Sequence, residues 1–110
     1  MIKALHARVG ATATALVGRN GVVLFAEMPE GTYAETFAIM CATIFGAGAA
    51  ANSELRLSAP ERVVFECESS TTVIVGCGET ALLVAVVDRS VDPSRALDEV
   101  GKVAHLLTAR

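Results

Sequence analysis

Seven consecutive apolar residues, Ala81 to Val87 (ALLVAVV), constrain this chain more than any other feature. A strand that is apolar on both pleated faces has to be covered on both, which places it at the centre of a sheet with a further layer on each side. Neighbouring segments supply the sheet. Thr71 to Gly76 (TTVIVG) precedes the run across a Gly78-Glu79 turn, and Arg62 to Glu68 (RVVFECE) precedes that across Ser69-Ser70, which sets Cys67 opposite Thr72. In Arg62 to Glu68, one face carries Val63, Phe65 and Cys67 and the other Val64, Glu66 and Glu68; two carboxylates on one face mark an edge strand. Nearer the start, Ala11 to Gly18 and Val22 to Glu27 flank Asn20-Gly21. That dipeptide between apolar runs signals a hairpin with a type I′ turn, and pairing about it sets Leu16 opposite Phe25 and Ala15 opposite Ala26.

Three helices complete the pattern. Met1 to Val9 places Ile2, Leu5 and Val9 at helical spacing before Gly10. Thr32 and Glu35 have capping-box spacing and open a helix from Tyr33 to Asn52 that is apolar nearly all round. Asp92 as N-cap and Pro93 at the first helical position open the last, Pro93 to Thr108, with a stripe of Ala96, Leu97, Val100, Val103, Ala104 and Leu107. The reading is an α+β fold of one domain over residues 1–110: a five-stranded antiparallel sheet with helices on both faces, in the order αββαβββα.

Composition excludes several functions. Apolar residues make up 53% of the chain before its 9 glycines are added, more than the roughly 45–50% of an ordinary domain with glycine included. A disordered polypeptide is excluded, and part of the apolar surface is expected to lie against a partner. With 9 Lys and Arg against 12 Asp and Glu, and a net charge of −3, no nucleic-acid partner is expected. Met1 to Gly10 carries Lys3, His6 and Arg8 and no apolar core of a signal peptide, so the expected compartment is the cytoplasm. Thr36 to Ser53 lacks charge, but its second half is mostly Gly and Ala, and no membrane insertion is expected.

No catalytic, cofactor or metal site emerges. Gly76-Cys77-Gly78-Glu79-Thr80-Ala81 fits G-x-G-x-x-A, but a dinucleotide fingerprint must open a helix, and here a strand follows. Cys41, Cys67 and Cys77 form no C-x-x-C pair and read as buried free thiols. Cys41 or Cys77 with His105 and Asp88 is an imaginable nucleophilic trio, yet nothing in the spacing sets a base beside a thiol. Neither His6 nor His105 has a ligand partner at metal-binding spacing.

The informative segment is the middle helix. Ala38, Ala42, Gly46 and Ala50 recur every fourth residue, with Phe37, Cys41, Ile44 and Phe45 beside them. One helix cannot bury all this against one sheet. We therefore expect a homodimer in which Phe37, Ala38, Cys41, Ala42, Phe45 and Gly46 meet a second copy, joined by edge-strand pairing through Val64, Phe65 and Glu66.

The ordered set of motifs resembles the roadblock / dynein light chain family. It comprises Val9-Gly10 leading into ATATALVG, GRNGVVLFAE, AETFAIMCATIFGAGAAA, ERVVFECESSTTVIVG, ALLVAVVD and DPSRALDEVGKVAHLL, about residues 9 to 108. The resemblance implies a sheet between helices as in profilin and longin folds, homodimers built on the middle helix and the strand after it, and a non-catalytic regulator or scaffold of Ras-like GTPases. The alternative is a profilin-like sensory or small-molecule-binding module.

Overall fold

The computed structural model describes residues 1–108. The elements are α1 (Ile2–Val9), β1 (Ala13–Gly18), β2 (Val23–Glu27), α2 (Ala34–Glu54), β3 (Arg62–Glu66), β4 (Ser70–Cys77), β5 (Ala81–Asp88) and α3 (Pro93–Thr108), in the order the sequence predicts. The five strands form one antiparallel sheet, β2-β1-β5-β4-β3, with β5 at its centre and β2 and β3 at its edges.

Alternation along β5 divides the core in two. Leu82 and Val84 join Ala15, Val17 and Ile74 beneath Ala38, Cys41 and Phe45 of α2. Leu83, Ala85 and Val87 join Val73 and Cys77 on the opposite face. There α1 brings Ile2, Leu5 and Val9, and α3 brings Ala96, Val100, Val103 and Ala104. Asp92 caps α3 as its sequence requires, its Oδ1 accepting from the Ser94 N–H at 2.9 Å. The C-terminal half of the short α1 is tied down by two polar contacts. His6 Nδ1 lies 2.8 Å from Thr14 Oγ1, and Arg8 Nε donates to Glu99 Oε2 at 2.7 Å.

Local geometry departs from expectation at three turns. The first hairpin keeps its register, Ala15 opposite Ala26 and Leu16 opposite Phe25, but shifts between Leu16 and Val17 so that Val17 meets Val23. Only Gly21 takes a positive φ, 90°, and its N–H donates to the Gly18 carbonyl at 2.8 Å. The turn is therefore a type I turn closed by a left-handed glycine with a bulge, not the type I′ turn that would need positive φ at Asn20 as well. A Cβ on Gly21 would stand 3.2 Å from Ile39 Cγ1, so the turn tip lies against α2.

At the start of α2 the capping box does not form. The helix begins at Ala34 with Tyr33 as N-cap, and the Thr32 hydroxyl donates back to the Pro29 carbonyl at 2.6 Å, closing a turn one residue too early to cap the helix. The second hairpin turns about Glu68-Ser69, pairing Phe65 with Thr72 and Glu66 with Thr71, so Cys67 does not face Thr72. Its N–H donates to the Ser70 carbonyl at 2.7 Å, and Arg89 holds the turn through the Cys67 carbonyl at 2.9 Å and Glu66 at 3.3 Å. The slip is two residues, so every side chain keeps its face.

Helix α2 ends in a Schellman arrangement, with Leu57 N–H donating to the Asn52 carbonyl and Arg56 N–H to that of Ser53. The left-handed position falls on Arg56, φ 60°, where glycine would be relaxed. Because a non-glycine residue there is strained by roughly 1–2 kcal/mol, partly offset by the entropy glycine loses on folding, Arg56→Gly is expected to raise stability by about 0.5–1 kcal/mol. A urea midpoint that stays put or falls would contradict this.

Candidate interaction surface

Because α2 is apolar nearly all round, its sequence does not choose an inward face; the sheet does. Ala38, Cys41 and Phe45 turn onto the protomer's own sheet and are closed to solvent. These three of the expected contact residues are thus core residues and unavailable to a second copy. Phe37 and Ala42 are half-buried at the margin, and only Gly46 stands in the open. The reason is geometric. A stripe spaced every fourth residue drifts about 40° around a helix at each step. From Ala38 through Ala42 to Gly46 and Ala50 it passes from buried to exposed.

A second stripe, missed from the sequence, does run straight. Met40, Ile44, Ala47, Ala51 and Leu55 follow spacings of four, three, four and four, and all five are exposed. Met40 is 51% exposed, Ile44 37% and Leu55 69%. At 1.5 Å per residue the stripe is about 22 Å long. Ile39, 50% exposed, lies beside its first turn. The signal was present in the spacing, but no polar face stood opposite to reveal it.

The approach to edge strand β3 lies against the second half of α2, since a Cβ on Gly48 would stand 3.4 Å from Pro60 Cγ. Phe65 and Val63 pack half-buried toward the α2 core. Val64 projects to the other face and is 37% exposed. Glu66 is exposed and paired with Arg89. The outward N–H and C=O groups of β3 have no strand beside them.

The chemistry of the thiols is that of packing. Burial pushes the Cys41 thiol up to about 11. Burial also raises Cys77, a shift partly offset by the Arg19 charge, and Cys77 Sγ lies 3.7 Å from the Ala104 carbonyl oxygen. Cys41 lies in the α2 core, across the sheet from α3 and its His105, while Cys77 pairs opposite Ala81 at the start of β5, about 23 Å of strand from Asp88, whose carboxylate accepts from the Ser90 N–H at 2.9 Å. The imagined trio is therefore not assembled. Contrary to expectation Cys67 is exposed, because the shifted turn leaves it beside Glu68-Ser69 at the end of the hairpin. Ellman's reagent at pH 8 should titrate one thiol per chain rapidly, with Cys67→Ser removing the fast phase; three equally fast thiols would contradict the assignment. Gly78, with φ 68°, turns β4 into β5, so the G-x-G stretch joins two strands and opens no helix. Among the described residues no three His, Cys, Asp or Glu side chains gather as metal ligands.

Residues 1–87 match the Roadblock/LC7 domain. The chain belongs to the Roadblock/LC7 domain family. An uncharacterized protein of Methanocaldococcus jannaschii is 32% identical over 83 residues, 76% of this chain and 70% of that protein. Among solved structures, MglB of Myxococcus xanthus superposes with a TM-score of 0.89 at 16% identity, over 96% of this chain and 86% of that one. Profilin IB of Acanthamoeba castellanii superposes with a TM-score of 0.72 at 19% identity, over 97% and 93%. At such identities these likenesses show the fold: a roadblock domain with the profilin arrangement of sheet and helices. In this roadblock domain, α2 is long and apolar enough to cross a membrane, yet it spends one face on the sheet.

Proposed function

We propose that this chain is a single roadblock domain over residues 1–110 that works as a homodimeric, non-catalytic regulator or scaffold, binding a small Ras-like GTPase or a related switch protein in the cytoplasm. The observation that carries the reading is the straight exposed stripe on α2 beside an unpaired sheet edge. Exposed apolar surface arranged this way favours a protein partner, and the resemblance to GTPase regulators supports the kind of partner.

The stripe also suggests how two copies meet. Its ends are bulky and its middle small. Antiparallel helices crossing between Ala47 and Gly48 would set Met40 against the partner's Leu55, bulky on bulky at each end, and Ile44 against the partner's Ala51, large opposite small, nearer the crossing. Gly46 adds room at the crossing, since a Cβ there would meet nothing within 4 Å inside the protomer. The same twofold axis would lay the two β3 edges side by side, centred on Val64 or Phe65, with Arg62 near the partner's Glu66 or the partner's Glu68 respectively.

Sedimentation at low micromolar concentration tests the pairing: a species of twice 11.4 kDa is expected, and a clean monomer would defeat it. Val64→Pro removes an N–H at the edge-strand centre and should weaken the dimer about tenfold while sparing the fold, because edge strands tolerate proline. An unchanged dimer would mean that helices alone meet. For the partner, GTP hydrolysis and nucleotide exchange by a Ras-like GTPase from the same genome should change on adding the protein; no binding to such a GTPase would favour the small-molecule module.

A further inference from the structure

At one end of the sheet, the β1–β2 turn, the end of β4 and the approach to β3 enclose a groove of about 450 Å³. It is lined by Arg19, Ala59, Pro60, Arg62 and Gly76 among others. Its size falls within the roughly 300–1,000 Å³ of small-molecule sites. Arg19 is exposed yet held fast. Its Nη2 donates to the Gly78 carbonyl at 2.8 Å, its guanidinium carbon sits 5.2 Å above the centroid of the Phe45 ring, and its backbone N–H donates to the Thr80 carbonyl at 2.9 Å. Gly76 makes the space: a Cβ there would stand 3.0 Å from Nη2. This glycine serves the arginine head, not a backbone twist.

A guanidinium has five N–H donors in a planar fork, and one of Arg19's is used on Gly78. Among the described residues no carboxylate lies within ion-pair distance of Arg19 or Arg62. Glu61 is the acidic residue on the lining; its backbone carbonyl accepts from the Gly76 N–H at 2.9 Å, and its carboxylate, in ion-pair contact with neither arginine, leaves the three charged side chains one positive in sum. The groove is therefore a locally cationic spot on a chain of net charge −3, with apolar walls at Ala59, Pro60 and Val75. A pre-positioned fork with unspent donors matches the paired oxygens of a phosphate or carboxylate. We propose that this groove binds an oxyanion carried on a small apolar body, a phosphate monoester or a carboxylate, with Arg19 as the anchor and Arg62 as a second cation. Arg19 is held within one copy; Arg62, which the proposed pairing would set near a carboxylate of the partner, is the part of the site that pairing would alter.

The test is amide chemical-shift titration of the whole protein with phenyl phosphate, phenylacetate and inorganic phosphate, at ionic strength held constant with sodium chloride. Saturable shifts are expected at Arg19, Gly76 and Gly78, with half-saturation for the better aromatic probe near 1 mM, about what a ligand of some ten non-hydrogen atoms reaches. Inorganic phosphate should bind several-fold more weakly, for want of an apolar body. The stronger aromatic probe identifies the headgroup. Arg19→Gln should weaken binding about tenfold and Arg62→Gln several-fold, while Arg56→Gln, at the far end of α2, leaves it unchanged. Should Arg19→Gln perturb the fold, Arg62→Gln decides alone. Shifts that stay linear and scattered, or equal losses in Arg56→Gln and Arg62→Gln, would mean a general ion atmosphere and overturn the site.

Discussion

Ile44→Glu is expected to leave the roadblock protomer folded and to dissolve the proposed pairing of two copies. Ile44 is already 37% exposed and lies on the outer side of α2. A polar replacement there removes little from the protomer's own core, and surface changes of this kind stay within about 0.5 kcal/mol. In the antiparallel pairing the new carboxylate would press against the partner's Ala51 with no cation to meet it. An unpaired charge buried at such a contact costs several kcal/mol, and twofold symmetry applies the cost twice. The dimer dissociation constant should rise at least about 100-fold. Sedimentation equilibrium reads the pairing, and circular dichroism with urea unfolding reads the protomer. Leu24→Glu, on the opposite sheet edge, serves as the comparison and should leave the pairing intact. A dimer that survives Ile44→Glu would remove the α2 stripe from the interface.

Phe45→Ala should act on the other side of the same helix. Phe45 is closed to solvent between α2 and the sheet, against Cys41, Ile74 and Leu82 among others, with the Arg19 guanidinium over its ring. Truncating a buried phenylalanine costs about 3–5 kcal/mol through lost burial and the cavity left behind. That is a large share of the 5–15 kcal/mol that holds a domain this size. The signature separates core from contact. As a core residue, Phe45 lowers the urea midpoint of the Ile44→Glu monomer as much as it lowers that of the parent protein. Were it a contact residue instead, its effect would vanish in the monomer.

The same pair of residues shows what can be read from the chain alone. The apolar run of β5 names the central strand because nothing polar interrupts either pleat. The register of the first hairpin follows from Asn20-Gly21, and the start of α3 from Asp92-Pro93, because those signals are chemical and local. The inward face of α2 was not legible. A helix whose apolar residues point in every direction carries no phase, so Phe45 and Ile44 look alike until the sheet is placed. The stripe of small residues carries no phase for a related reason: its spacing matches neither 3.5 nor 3.6 residues per turn, and it winds around the helix from the buried to the exposed side. Turn types were equally hidden: the first hairpin admits a bulge between Leu16 and Val17 without losing its outer register, and the arginine grip on the Cys67 carbonyl comes from 22 residues away. Arg19 was passed over because its isolation from carboxylates exists only in three dimensions.

The place of β5 in the chain has a consequence for how the molecule is made. The central strand comes after the four strands that flank it, and β1, made well before it, finds its inner neighbour only when Ala13 can pair with Val86 and Gly18 with Ala81. Until synthesis has passed Asp88, α2 has no completed floor beneath it, and a 21-residue apolar helix is left facing water. Two local hairpins can form early, but one seam of long sequence separation must close before either is covered, which slows folding and prolongs exposure. The hazard of aggregation is therefore concentrated in the nascent chain. Cleavage in the connector after α2 would recreate it, separating the helix from the strands on which it lies.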